Sequence, residues 1–292
     1  MSYRNYIQAA LALSFIWIFK RLGLSLGAKL AGLTLLAFGR FAREHKLADT
    51  NMAAALPDMT RQQRKIALRN MWRNIGHVLA EMAHMKRIAA QAERRLRVHG
   101  SEHLDALKAS GKPFVLVSAH TGNWEINMVL LEQMGFEAGA IYRASNNPIM
   151  DKWIVHQRAG YMPHQIPKGA EGSKQMIRLL KNGVSLGALI DQRLNTGDPI
   201  TFFGRPTRAP SAAVKLAHRF DLTVLPVRVC RRSGMPDTAY FDVHVEAPFK
   251  VKQSDDRQSD TDRTMAHIYA RFEAWIGERP AEWFWVHDRW RS

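Results

Sequence analysis

His120 and Glu125 stand five positions apart in Ser118-Ala119-His120-Thr121-Gly122-Asn123-Trp124-Glu125, directly after the apolar run Pro113-Phe114-Val115-Leu116-Val117. A histidine leaving a buried strand, with a carboxylate on the first turn of the next helix, is a general base with an orienting partner in reach. The chemistry this suits is deprotonation of a hydroxyl. Gly122 lets the chain turn sharply and lets a substrate approach the backbone. Free N–H groups at the helix start, near Gly122 and Asn123, can face a developing oxyanion. The competing reading is structural: a histidine beside a cap, and an acid that merely complements the helix dipole. Strand end, histidine, small residues and acid within one turn favour the catalytic reading. No H-E-x-x-H occurs and Cys230 is the sole cysteine, so a metal site lacks nearby ligands.

Positioning these groups requires a particular set of elements. Residues 114–118 read as a short, fully buried strand, and the apolar-rich stretch from Trp124 onward as a helix with Asn123 or Thr121 as its N-cap. His120 then sits at a strand's carboxyl end, where ligands of α/β sheets bind. Further strands are expected at 138–142, 185–190, 223–230 and 240–245, and helices at 174–181, 209–218 and 262–279. Strands interleaved with helices imply an α/β layer fold. Arg143 and Asp191 each follow a predicted strand, so the same crevice can gather them, although either alone is equally an ordinary surface residue. Arg158 falls in a helix or turn. The run 202–210 (FFGRPTRAP) reads either as an apolar entrance with cationic contacts or as an ordinary loop. The aromatic stretch 283–290 should be mostly core, locking the tail onto the domain, and Cys230 reads as a core residue of a strand.

At 292 residues the chain suits one large core, with an amino-terminal appendage. The expected division is a membrane anchor at 1–39 and a catalytic domain at 40–292. The formal charge of +16 is uneven: residues 1–110 carry 18 Lys and Arg against 7 Asp and Glu. Such asymmetry calls for an anionic partner: nucleic acid, an acidic lipid surface or an acidic carrier protein. No nucleic-acid module or basic–aromatic stacking platform is present, so nucleic acid is not expected. Residues 6–19 (YIQAALALSFIWIF) and 22–38 are strongly apolar and separated by Lys20-Arg21. The first run is shorter than the ~20 residues that span a bilayer, so a tilted span and an in-plane insertion both remain open. A cleaved signal peptide fits less well, since helical patterning continues past Phe38 without a small-residue cleavage site. Between Arg61 and Arg97 basic residues predominate around an apolar stripe at helical spacing, giving a wet basic face.

Taken together these segments resemble the lipid A late acyltransferase family, the lauroyl and myristoyl acyltransferases of lipopolysaccharide synthesis, within the wider lysophospholipid and glycerol-phosphate acyltransferase group. The resemblance runs over nearly the whole chain: the amino-terminal anchor, Asn51 ahead of Leu56-Pro57, Glu81, His120 to Glu125, Tyr142-Arg143, Asp191-Gln192, Phe202-Phe203-Gly204, Ala209-Pro210 and Trp285-Val286-His287, in that order. The H-x-x-x-x-E spacing alone is weak, whereas the ordered series is specific. It implies a mixed sheet flanked by helices, glycerol-phosphate acyltransferase-like, behind an N-terminal membrane-anchoring helix. It implies an inner-membrane enzyme with its active site on the cytoplasmic face, moving a fatty acyl chain from acyl carrier protein to a hydroxyl of a lipid A precursor. It implies no metal and no bound cofactor. His120 and Glu125 would be the catalytic pair, Arg158 the first choice for an oxyanion contact beside Gly122 and Asn123, and Asp191 a residue that positions His120 or the acceptor. Glu125 stands where the wider group often has aspartate; Arg193 and Asp288 also depart from the family's pattern. The alternatives are the same chemistry on another glycolipid or a lysophospholipid, or a non-catalytic basic protein bound at a membrane.

Overall fold

A computed structural model describes residues 3–290. The chain opens with four helices, α1 (Tyr3–Arg21), α2 (Gly23–Phe38), α3 (Arg43–Ala55) and α4 (Arg61–Met82), then two short ones, α5 (Met85–Ala89) and α6 (Ala92–Arg95). Strands and helices alternate from there: β1 (Leu96–His99), α7 (Ser101–Ser110), β2 (Phe114–Ser118), α8 (Ile126–Gln133), β3 (Ala138–Tyr142), α9 (Pro148–Arg158), β4 (His164–Pro167), α10 (Ala170–Lys181) and β5 (Ser185–Leu189). A hairpin of β6 (Asp198–Phe202) and β7 (Arg205–Ala209) leads to α11 (Ala212–Arg219), β8 (Thr223–Arg231), β9 (Phe241–Val245), β10 (Phe249–Lys250) and α12 (Arg257–Glu278).

The main sheet has the order β1-β9-β8-β2-β5-β3-β4, with β10 added against β8. Most pairs are parallel; β8 runs antiparallel to β9 and β10. This is the α/β layering expected from the sequence, a mixed, mostly parallel sheet covered by helices. β2 lies centrally, parallel to both β5 and β8, and all five of its residues are buried, as a strand covered on both faces requires. Its side chains alternate between two cores: Val115 and Val117 pack in the cluster with α10, α11 and α12, and Phe114 and Leu116 in the cluster with α8.

Two expectations are corrected here. The run 202–210 is neither an entrance nor a loop but most of the β6–β7 hairpin, turned by Phe203 and Gly204 with positive φ. Phe202 is fully buried against Tyr269, Trp283 and Trp290, so it faces the core instead of a ligand. The helix expected from 209 begins only at Ala212, because Ala209 still pairs in β7 and Pro210 follows it. The aromatic tail behaves as core: Trp283 and Trp285 are buried, and Asn51 Nδ2 donates to the carbonyls of Trp285 and His287.

The helix α4 starts with a reciprocal cap, in which Thr60 and Gln63 each bond the other's backbone N–H. Helix α2 lies antiparallel along α4. Gly39 meets the Trp72 ring, Gly32 the His77 ring, and Gly76 the backbone of Ala31, and an added Cβ at any of the three would come within 2.4 Å of its neighbour. Ala28, Ala31 and Ala80 close the contact.

Candidate active site

Strands β2 and β5 pair with Ser118 opposite Leu189, and the Ile190 N–H continues the ladder to the Ser118 carbonyl at 3.2 Å. Two residues further, His120 and Asp191 leave the two strands side by side. Asp191 Oδ1 is 2.7 Å from His120 Nδ1, and Asp191 Oδ2 accepts from the His120 N–H at 3.0 Å and from Trp283 Nε1 at 2.7 Å. Asp191 is 1% exposed. Burial works against its charge, but the neighbouring His120 and Arg289 and the bonds from His120 hold the carboxyl well below the usual carboxylate range. An ionised carboxylate only accepts, so Nδ1 carries a proton, and in the neutral imidazole the Nε2 lone pair is the one left free. Nε2 takes no partner among the described residues. The ring sits between Trp124 and Phe284, with centroids 5.1 and 6.3 Å away.

The acid bonded to His120 is therefore Asp191, and the expected bond from Glu125 is absent among the described residues. Glu125 is 2% exposed, and its oxygens are occupied by Arg158 Nε at 2.9 Å, by Arg158 Nη2 and by the Tyr161 hydroxyl at 2.9 Å. Burial disfavours the Arg158 charge, but Glu125 outweighs that and raises it above its ordinary value; burial and then Glu125 push the Tyr161 hydroxyl up as well. Glu125 is the N-cap of α8, and its side chain meets Arg158 at the end of α9 and Tyr161 just beyond it.

Gly122 adopts φ +57°, and an added Cβ would lie 2.6 Å from the Val229 carbonyl. The turn is as expected, yet its N–H donates to the Glu282 carbonyl at 3.1 Å and is not free for an oxyanion. Asn123 is wholly buried: its Oδ1 accepts the Glu125 N–H at 3.2 Å and its Nδ2 donates to Glu81 Oε2 at 2.9 Å, but neither it nor Thr121 is the expected N-cap, since the helix begins at Ile126, two residues later than expected, with Glu125 at its N-cap. Glu81, fully buried on α4, takes both Arg231 Nη1 and Nη2 and the Thr238 hydroxyl. Arg231 also donates to Asn74, whose Nδ2 reaches the Gly122 carbonyl at 3.1 Å. This buried network, invisible in the sequence motif, fastens the His120 loop to α4.

His120 opens onto a cavity of about 360 Å³. Leu116, Met128, Ala140, Ile154, Met162 and Leu189 give it apolar walls; Arg143, Arg158 and Lys168 supply its cations, with Gln192 also at its edge. Arg143 and Arg158 thus reach the His120 crevice as expected. Lys168, Tyr161 and Trp283 were not foreseen. Lys168 follows an unpredicted four-residue strand, and Tyr161 and Trp283 carried no local signal beyond aromaticity. Cys230 is buried in β8, where burial pushes its thiol up, as suits a core residue. Among the described residues no cluster of three or more His, Cys, Asp or Glu could hold a metal ion.

A strand-end histidine oriented by a buried acid, over an apolar cavity, defines a class of protein that can activate a hydroxyl beside a long hydrocarbon chain. Comparison with known proteins gives the family. All of residues 1–292 match the family described as bacterial lipid A biosynthesis acyltransferase. A phosphatidylinositol mannoside acyltransferase of Mycobacterium tuberculosis (strain CDC 1551 / Oshkosh) is 27% identical over 81% of this chain and 72% of its own length. A lipid A biosynthesis acyltransferase of Haemophilus influenzae (strain ATCC 51907 / DSM 11121 / KW20 / Rd) is 21% identical over 88% of this chain and 79% of its length. A lipid A biosynthesis lauroyltransferase of Escherichia coli (strain K12) is 24% identical over 99% and 92%. The chain belongs to the bacterial lipid A biosynthesis acyltransferase family. It is an acyltransferase acting on lipid A or related glycolipids, not the non-catalytic binding protein that its basic amino-terminal end also allowed.

Proposed function

We propose that this enzyme moves a fatty acyl group from acyl carrier protein to a hydroxyl of a lipid A precursor, with His120 as the general base and Asp191 as the acid that orients it. The observation that carries this reading is the His120–Asp191 pair with Nε2 open to an apolar cavity. Nε2 takes the proton of the acceptor hydroxyl as its oxygen attacks the thioester carbonyl. The C–S bond then breaks and the imidazolium returns the proton to the departing thiolate. General-base help of this kind contributes typically ~10²–10⁴-fold. Glu125 supports the reaction by holding Arg158, whose Nη1, without a partner among the described residues, is the donor best suited to the oxyanion. The mycobacterial relative acts, by its name, on a mannoside of phosphatidylinositol, and this favours a second reading: the same transfer to a different anionic glycolipid. Product mass spectrometry after offering the purified protein a panel of acyl-carrier thioesters and glycolipid acceptors tests both; no transfer from any thioester would refute them.

The reading includes attachment to the cytoplasmic face of the inner membrane through the amino-terminal helices. Every large apolar side chain that is exposed among the described residues lies between Tyr3 and Ile66. The stretch Gly23–Phe41 is long and apolar enough to cross a membrane. Its packing along α4 argues for insertion in the plane. A perpendicular span would carry α4, with Arg64, Arg69 and Arg73, toward the hydrocarbon, at about 2.5–3.5 kcal/mol for each cation at the centre. Lying flat, the same helices immerse Leu26, Leu30 and Leu33 and keep those cations near anionic head groups.

A further inference from the structure

We infer that Arg143 and Lys168 form a phosphate-binding site at the rim of the cavity beneath His120, serving the acyl transfer proposed above. Strands β3 and β4 run parallel with Tyr142 opposite Pro167, and the Lys168 N–H donates to the Tyr142 carbonyl at 3.1 Å. The next residue on one strand is Arg143 and on the other Lys168, so the two leave the sheet as neighbours, at the carboxyl ends where ligands of parallel sheets collect. Both border the cavity, and neither makes an ion pair with a carboxylate among the described residues. The one side-chain bond of Arg143 goes from Nη2 to Asn146 Oδ1 at 3.1 Å. The third cation of the cavity, Arg158, is by contrast committed to Glu125. Asp151 also borders the cavity, but its Oδ1 accepts the Ser145 N–H at 2.7 Å.

Two cations side by side without a counter-ion repel each other. Partial burial, and then the charge of Arg143, lower the Lys168 ammonium below its ordinary value, with Asp191, already bonded to His120 and Trp283, acting more weakly in the opposite sense. A tetrahedral anion relieves that repulsion, with the guanidinium fork bonding two of its oxygens and the ammonium a third. The interior beyond is apolar, so the anion stays at the rim while a hydrocarbon chain occupies the space past Leu116 and Met128. Two substrates of the transfer can supply such a phosphate: the phosphopantetheine arm that carries the thioester, and a phosphorylated glycolipid acceptor.

Crossed initial-rate measurements on the full chain separate the sources. The donors are acyl-phosphopantetheine and acyl-pantetheine thioesters, and the acceptors are a phosphorylated glycolipid and its dephosphorylated form. Wild type is compared with Arg143→Gln/Lys168→Gln and with the charge-preserving Arg143→Lys/Lys168→Arg. The expected result is a kcat/KM preference of roughly ten- to a hundredfold for one phosphate-bearing partner, lost in the glutamine pair and largely kept in the charge-preserving pair. A preference in the donor arm assigns the phosphate to the carrier; one in the acceptor arm assigns it to the lipid. Absence of any preference in wild type, or its survival in the glutamine pair, overturns the site. A phosphorus NMR titration with inorganic phosphate reads the site even where no transfer occurs, which separates its failure from that of the reaction. Salt-sensitive binding lost in the glutamine pair supports the site, and equal binding in both proteins overturns it.

Discussion

Replacing Asp191 with asparagine isolates the orientation of His120 without changing the shape of the site. Asp191 Oδ2 accepts two N–H groups, from the His120 backbone and from Trp283. The amide carbonyl of the variant must therefore stay there, which turns its NH₂ toward His120 Nδ1. An amide NH₂ only donates, so Nδ1 becomes the acceptor and the ring proton moves to Nε2. The atom that should receive the acceptor's proton is then already protonated. Loss of general-base help should lower kcat by about 10²–10⁴-fold, in line with the ~10⁴-fold cost of the same change in the serine-protease triad, a different protein. KM should change little, because Asp191 touches no substrate. Initial rates from acyl-carrier thioester, with thermal melts to confirm folding, provide the assay. An Asp191→Asn protein that kept more than about a third of wild-type kcat would refute the tautomer argument. A pH control follows from the depressed carboxyl. Its contribution to stability is full above the ordinary aspartate pKa of ~3.9 and is lost as pH falls through the lower folded value. The Tm gap between wild type and variant should accordingly narrow as pH is taken below about 4.

Glu81→Ala leaves Arg231 largely buried without its carboxylate, and urea melts should show a loss of about 3–5 kcal/mol. Gly122→Ala forces a Cβ against the Val229 carbonyl at positive φ, for an expected ~1–3 kcal/mol, with activity falling further because the His120 loop must move; unchanged melts and rates would contradict this. Gly187 lines the cavity opposite Met128, and a Cβ there would lie 2.8 Å from the Met128 sulfur. Gly187→Ala should push that flexible side chain into the cavity and shift the preferred donor toward shorter chains, at ~0.8 kcal/mol per CH₂ displaced, read from product masses with mixed donors. Replacing Leu26, Leu30 and Leu33 with serine should release the protein from membranes into the soluble fraction, while a high-salt wash of wild type should not; extraction of wild type by salt alone would sink the apolar attachment.

The parts of this fold written in local sequence were legible. β2 and β3 were bounded from their apolar runs to the residue, β2 because a strand buried on both faces reads as one unbroken apolar run, and β3 although its last two residues are only half-buried. The hairpin was not legible: Asp198–Phe202 and Arg205–Ala209 each carry a proline at the second position and no sustained apolar pattern, and only pairing across the turn makes them strands. His120 was found from its strand end. Its true partner was named only as one possibility, because strand neighbours are a property of topology. That β5 lies beside β2, and not β3 or β8 alone, decides that residue 191 meets residue 120. Glu125 drew attention by proximity in sequence, which five residues across a sharp turn do not convert into proximity of side chains. Lys168 needed both β4 and its register with β3.

Four motif residues after β2 secure the His120 loop to the surrounding elements. His120 is bound through its backbone and ring to Asp191 beyond β5; Gly122 to Glu282 and Asn74; Asn123 to Glu81 on α4; Glu125 to Arg158 and Tyr161 around the end of α9. A general base works only within hydrogen-bond reach of its proton, and a displacement of about 1 Å can cost 10²-fold. One short loop tied in four directions has little freedom to make that error. The same ties give an acid five residues from His120 a place in the motif without its touching His120: its carboxylate holds Arg158 at the cavity edge. Three of the four ties run to elements in contact with the amino-terminal helices. Asn74 and Glu81 lie on α4, which packs along α2, and α9 is capped by Asn147, whose Nδ2 donates to the Asn5 carbonyl of α1 at 2.8 Å. The helices proposed to rest in the membrane are thus built into the scaffold that holds the base, so that docking at the lipid surface and alignment of His120 draw on one set of contacts.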